Sequence, residues 1–152
     1  RLGHALFVYA GIRTFFGTYD RRRPHFRVEL DDGTKIHDAF FAIVMNSDPY
    51  TFVGHRPFVV DPDNSAETPF TVVALRSMRL RHFLAVMADA LRGQGLKERP
   101  SLVLRRNVTG VTVRRTTSLP YQVDGDHLGD AAELRMSYRP DALTVVVPGA
   151  AT

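Results

Sequence analysis

Two carboxylates, Asp124 and Asp126, flank a single glycine in the stretch Pro120-Tyr-Gln-Val-Asp-Gly-Asp-His-Leu-Gly129. Held on a turn after a strand, such a pair can bind a divalent cation or take a proton from a hydroxyl. Asp-Gly is equally the chemistry of a tight turn, because both residues tolerate a positive φ. On local grounds alone the turn outweighs the catalytic site. About ten residues later, Pro140-Asp-Ala-Leu-Thr-Val-Val-Val-Pro148 reads as a strand closed by proline at either end.

The rest of the sequence narrows the chemistry by exclusion. No P-loop and no Gly-x-Gly-x-x-Gly opens a helix, so nothing in these residues is built to cradle a nucleotide. The six histidines are scattered and there is no cysteine, which removes zinc spacing, disulfides and thiol chemistry. No Gly-x-Ser-x-Gly elbow appears. His82 and His127 read as surface residues. Basic strands interleaved with Tyr and Phe are present, but no stacking motif is recognisable, and nucleic acid is not an expected partner.

At 152 residues, with 44% hydrophobic and 24% charged, the chain is one domain's worth of globular sequence. No apolar run is long enough to span a bilayer and no signal peptide is apparent. The net charge of +4 is almost entirely arginine, since only Lys35 and Lys97 are lysines. Arginine forks suit phosphate and anionic lipid. A GC-rich coding sequence accounts for the larger part of the bias.

The elements that must position the carboxylates are mostly strands. Residues 1–16 read as a helix with Leu2, Leu6, Tyr9 and Phe16 near one stripe. It opens without a cap or a methionine, as expected of a start inside a longer protein. The run Arg21-Arg22-Arg23 is a solvated corner, with a headgroup contact as the minority reading. Residues 25–30 and 34–45 predict a hairpin whose turn is Asp31-Asp-Gly-Thr34, a turn and not a metal motif. Residues 39–45 are apolar almost without a break, which predicts a strand covered on both faces. Residues 46–67 are irregular and, at that length, expected to be functional. A strand over 70–75 precedes an amphipathic helix carrying Leu80, Phe83 or Leu84, Met87 and Leu91, with Ser77 as its cap and Gly93-Gln-Gly95 as its end. A meander follows, at 101–105, 111–115, 121–123, 133–138 and 143–147, with Leu134, Met136 and Tyr138 facing inward. The expected fold is mainly β (α+β), a two-layer β-sandwich-like domain with two peripheral helices.

Gln122-Val-Asp-Gly-Asp, Leu128-Gly129, Leu134, Pro140-x-Ala142-Leu143 and the Val-rich end together resemble the C-terminal end of the diacylglycerol kinase / sphingosine kinase catalytic family. The likeness is greatest to the bacterial soluble lipid kinases, whose signature here reads Val-Asp-Gly-Glu. It extends over most of the chain but is specific only in the last thirty residues. In those kinases a nucleotide-binding domain carrying Gly-Gly-Asp-Gly-Thr precedes a β-sandwich domain, and ATP and lipid meet between them. This sequence lacks the glycine-rich motif. The resemblance therefore implies that residues 1–152 are a single C-terminal β-sandwich domain, with 1–17 a helical lead-in and the nucleotide-binding domain elsewhere.

Carried over residue by residue, the resemblance makes Asp124 the base that deprotonates a lipid hydroxyl. Asp126, standing where the family usually has Glu, becomes its partner through magnesium. Asp for Glu keeps the charge but retracts the carboxylate by about 1.5 Å. A second family magnesium site before the strand at 70–75 keeps only Glu67 of its oxygen ligands, and Pro69 changes its backbone, so that site is expected to be weakened or lost. Asn46, Pro49, Tyr50 and Gly54 match a family loop near the interdomain cleft, and with Gly125 they are the candidate cleft positions. The implied activity is ATP-dependent phosphorylation of diacylglycerol to phosphatidate, with Mg²⁺ and ATP as cofactors. A sphingoid or other lipid is the alternative acceptor, and a nucleotide kinase related to the NAD kinases ranks below it. The implied partners are a lipid substrate, a membrane surface met peripherally from the cytoplasm, the chain's own N-terminal domain and a second copy in a homodimer. The 152 residues alone are expected to be inactive. The rival from another class is a non-catalytic β-sandwich that binds anionic lipid or a partner through its arginines.

Overall fold

A computed structural model describes residues 23–142. The predicted helix over 1–16, Arg21 and Arg22 of the arginine run, and the final strand over 143–147 lie outside the described residues. Nine strands and one helix follow in order: β1 Phe26–Leu30, β2 Lys35–Ala39, β3 Phe41–Met45, β4 Thr51–Val53, β5 Arg56–Phe58, β6 Phe70–Leu75, α1 Leu80–Leu91, β7 Leu102–Val108, β8 Gly110–Val123 and β9 Asp126–Ser137. They form a four-stranded sheet in the order β2-β1-β8-β9, a three-stranded sheet β3-β6-β7 and the separate pair β4-β5. All pairings are antiparallel. The β-rich sandwich expected from the sequence is what forms, with α1 packed on the outer face of the three-stranded sheet.

The period of two along each strand decides which core it feeds. In β1, Val28 and Leu30 turn inward while Arg27 is exposed. With Ile36 and Ala39 of β2 and Val111 and Val113 of β8, they meet Val72 and Ala74 of β6 across the sandwich. The alternate residues of β6, Val73 and Leu75, point the other way, to Leu102 and Leu104 of β7 and to Val86 and Ala90 of α1. β6 is thus walled on both faces.

That is where the coverage predicted for 39–45 belongs. The apolar run is divided at Phe40, whose amide donates to the Leu75 carbonyl (2.8 Å) as the chain leaves one sheet for the other. Ala39 ends β2 in the four-stranded sheet, and β3 opens the three-stranded one as an edge strand, with Phe41 40% exposed. A run that serves two cores in turn reads as one buried strand, because hydrophobicity does not record a change of partner.

The segment over 46–67 is ordered. It carries the β4–β5 hairpin, turned at Gly54 (φ +65°), and then a buried polar cluster. Asp48 Oδ1 accepts from the amides of Val60 (2.8 Å) and Asp61 (3.1 Å). Asp61, 1% exposed, accepts from Thr71 Oγ1 (2.6 Å) and Arg106 Nε (2.9 Å). Asn64 Nδ2 donates to Thr71 Oγ1 (3.1 Å) and the Pro69 carbonyl (3.2 Å), leaving its Oδ1 buried without a partner among the described residues. Local polar side chains replace the ladder bonds that regular structure would supply.

Two details of the helix also differ from expectation. Arg79, not Ser77, is the N-cap, and no side chain caps the first turn. The buried stripe centres on Val86 and Ala90, so that Leu80 and Leu84 face solvent. Gly93 (φ +76°) ends the helix as predicted, and the turn continues to Gly95, where a Cβ would stand 2.7 Å from Pro62 Cδ. Only glycine fits that crossing.

Candidate functional site

The Asp124-Gly125-Asp126 stretch is the tip of the longest hairpin in the structure. β8 runs unbroken from Gly110 to Val123 where two strands were expected, and β9 returns from Asp126. Val123 pairs with Asp126, and the two residues between them, Asp124 (φ +50°) and Gly125 (φ +91°), both lie in the left-handed region. Two positive φ angles define a type I′ turn, the form whose twist matches the strands it joins, and Asp-Gly is its preferred sequence. The turn chemistry and the candidate catalytic pair are the same residues.

The ribbon leaves the sandwich through two irregularities. Between the pairs Arg114–Glu133 and Leu119–Ala131, four residues of β8 oppose one of β9. Closer to the tip, Tyr121 pairs with Gly129 and Gln122 with His127, so that Leu128 is the extra residue of a bulge. Bulges re-aim a strand and are common beside functional sites. Beyond the second one everything is exposed: Val123 at 52%, Leu128 at 56%, and both aspartates with them. Among the described residues, neither carboxylate has a hydrogen-bond or ion-pair partner. They are acceptors held out on a type I′ turn.

The other candidates sit elsewhere. Asn46 and Tyr50 are exposed at the approach to the β4–β5 hairpin and Gly54 is its turn, with the Tyr50 ring edge-on to Phe58 at 6.5 Å. Glu67 is exposed, its carbonyl accepts from the Tyr138 hydroxyl (3.0 Å), and its carboxylate has no partner among the described residues. Tyr138 follows the last residue of β9 and Asp126 is the first, so Glu67 and Asp126 stand at opposite ends of that strand. They do not share an ion. No cluster of three or more His, Cys, Asp or Glu side chains forms a metal centre among the described residues.

Asp31-Asp32-Gly33 is a turn, as read from the sequence. Asp32 Oδ1 accepts from the Thr34 amide (2.7 Å), and that bond holds the Asp32 carboxyl below the ordinary carboxylate range. One feature was missed altogether. Where β2, the β6–α1 connection and the first turn of α1 meet, a groove of about 550 Å³ is lined by Asp38, Arg76, Ser77, Arg79 and His82. Arg76 Nε donates to both oxygens of Asp38 (2.8 and 3.0 Å), lowering the Asp38 pKa and raising that of Arg76. Arg76, Ser77, Arg79 and His82 are close in sequence, but Asp38 reaches them from β2 of the other sheet, beside the crossing at Phe40, and nothing in the local sequence marks that meeting.

Among the described residues the architecture is that of a β-sandwich with one helix on an outer face, and solved structures of bacterial kinases resemble it. A protein from Bacillus anthracis str. Sterne assigned as a diacylglycerol kinase aligns with a TM-score of 0.54 at 14% identity, over 87% of this chain and 45% of that one. A diacylglycerol kinase structure from the same organism aligns at 0.50 and 13%, over 86% of this chain and 48% of that one. At such identity the likeness is one of fold. The chain spans less than half the length of either protein. No protein-family model matches the sequence, and no curated protein does.

Proposed function

We propose that residues 1–152 are the C-terminal domain of an ATP-dependent lipid kinase acting on diacylglycerol, with Asp124 as the general base. The observation that carries this reading is the shared fold with two bacterial diacylglycerol kinases, in a chain whose Asp-Gly-Asp stands unpaired at the tip of a projecting ribbon. A carboxylate engaged in an ion pair is a poor base, whereas an unpaired one is ready to accept. Docked against the nucleotide-binding domain, Asp124 takes the proton of the lipid hydroxyl at a carboxylate oxygen. The hydroxyl oxygen bonds to the γ-phosphorus, and the bond from that phosphorus to the bridging oxygen of ADP breaks.

The donor set fits magnesium. Mg²⁺ keeps several waters and takes one or two carboxylates together with substrate phosphates, and Asp126 supplies one while Asp124 is left free as the base. When bound, the ion neutralises charge on the phosphates. Asp126 would hold it, and Gly125 keeps the two carboxylates on one turn. ATP itself falls to the other domain. The protein works peripherally at the cytoplasmic face of a membrane, and no described helix is long and apolar enough to cross one.

The test is phosphorylation by the full-length protein with labelled ATP and Mg²⁺, on a panel containing diacylglycerol and sphingosine. Asp124→Asn should lower the rate by about 10²–10⁴-fold, the usual contribution of a general base. Labelling of sphingosine alone would reassign the acceptor. No labelled lipid, or an Asp124→Asn variant as active as the parent, would leave Asp124-Gly125-Asp126 as a turn only. An anionic-lipid-binding module would then be the better account.

A further inference from the structure

The groove at the start of α1 collects more positive charge than its surroundings neutralise. A second cavity of about 340 Å³ shares Asp38 and Arg76 with it and extends to Lys35 and His37. Across the two, Lys35, Arg76 and Arg79 face a single carboxylate, and both oxygens of that carboxylate are engaged by Arg76 Nε. Among the described residues, the terminal nitrogens of Arg76 make no hydrogen bond and the Arg79 guanidinium has no carboxylate within ion-pair distance. Two guanidinium forks therefore border one open groove with donors to spare.

A hydroxyl completes the set. Arg81 Nε donates to His82 Nε2 (3.3 Å), which assigns the ring proton to Nδ1. His82 Nδ1 then donates to Ser77 Oγ (2.8 Å), and the Arg79 amide donates to the same oxygen (3.4 Å). With both lone pairs of Ser77 Oγ occupied, its own proton is left to be given away. The carboxylate of the site is already engaged, and the Ser101 hydroxyl on the same lining can turn its proton toward a ligand as well. Planar forks and a hydroxyl around an open cavity match a tetrahedral oxyanion carrying two charges, and arginine binds such groups with two parallel bonds.

We propose that this groove binds a doubly charged phosphate group, presented either as the monoester headgroup of phosphatidate in a membrane or as free phosphate. Arg79, the terminal nitrogens of Arg76 and the Ser77 hydroxyl are its ligands. Asp38 holds Arg76 in place, and its charge is already answered. The groove's openness lets a group attached to a larger body enter without being enclosed. The site does not depend on Asp124 acting as a base, because it uses none of the hairpin residues.

The full-length protein tests this with two probes, inorganic phosphate followed by ³¹P line broadening and phosphatidylcholine vesicles doped with phosphatidate in a flotation assay. Vesicles doped with phosphatidylglycerol carry negative charge as a phosphodiester and serve as the comparison. Arg79→Gln, which removes charge-assisted hydrogen bonds at an exposed residue, should weaken binding about tenfold. Ser77→Ala should weaken it by a smaller factor. Arg92→Gln removes the same charge at the far end of α1, where the side chain is 69% exposed, and should change binding by less than about twofold. Binding of phosphate alone would make the ligand soluble, binding of phosphatidate vesicles alone would make it a headgroup, and binding of both would define the group itself. The proposal is overturned if neither probe binds, if phosphatidylglycerol binds as well as phosphatidate, or if Arg92→Gln weakens binding as much as Arg79→Gln.

Discussion

The two ends of the β8–β9 ribbon are built to different rules. Near Gly110 and Ser137 the ribbon is part of a sheet: β1 pairs along one side of β8, Val111 and Val113 are buried, and Leu134 and Met136 lean on the same core. Past Leu119 no third strand joins it among the described residues, and Val123 and Leu128 turn to solvent. An isolated two-stranded ribbon is marginal in water, so its outer part is held by the turn, by cross-strand bonds and by whatever it meets. Burial selects residues at the base. Turn geometry and presentation select them at the tip.

The largest expected difference is functional. Asp124→Asn should cost the full-length protein about 10²–10⁴ in lipid phosphorylation while leaving its thermal melt within experimental scatter, because asparagine accepts a positive φ as aspartate does. A variant that lost both together would mean that the tip is structural after all. Next in size, Leu119→Ala should destabilise by about 3 kcal/mol in a denaturant titration, the usual cost of emptying a buried leucine site. Leu128→Ala, in the exposed part, should stay within about 0.5 kcal/mol by the same titration. Equal effects would erase the distinction between base and tip. Gly125→Ala, which forces a side chain into φ +91°, should cost about 1 kcal/mol and be read in the melt, with loss of activity as the hairpin splays.

The smallest effect concerns pH. Glu133 accepts from Arg114 (2.7 Å) and from Arg135, and these bonds, that from Arg114 first, hold its carboxyl below the ordinary range. A carboxyl depressed in the folded state adds stability above the unfolded pKa and loses it as the pH falls through the folded value. Glu133→Gln should therefore flatten the acid limb of a stability profile below about pH 4.5, the usual glutamate range, and leave neutral pH nearly unchanged. An unaltered acid limb would show that this exposed ladder contributes nothing measurable, as many surface pairs do.

Much of this fold is legible where local chemistry and tertiary position agree. Asp31-Asp32-Gly33 and Asp124-Gly125 announce their turns, and the alternation of Leu134 and Met136 announces an inward face. Legibility fails where one stretch answers to two partners. The change of sheet at Phe40 lies inside an unbroken apolar run, and the β4–β5 hairpin lies inside a segment rich in proline and aspartate. The helix face was right at Met87 and Leu91, which pack on the core beside Val86 and Ala90, and wrong at Leu80 and Leu84, which fit the apolar stripe but face solvent. For the site, the turn at 124–126 was readable but the groove of Arg76, Ser77 and Arg79 was not, since Asp38 meets Arg76 across the boundary between two sheets, 38 residues away in sequence.

Because both faces of β6 are occupied, neither layer can part from the other without exposing one side of that strand. Val72 and Ala74 belong to the sandwich and Val73 and Leu75 to the helix side, with no residue between them to act as a break. Opening of either half is thus linked to opening of the whole. The β6 amides should be among the last to exchange with deuterated solvent, and their protection should report global unfolding. The outer ribbon, which shares neither core, can fray and re-form on its own timescale while the body remains shut.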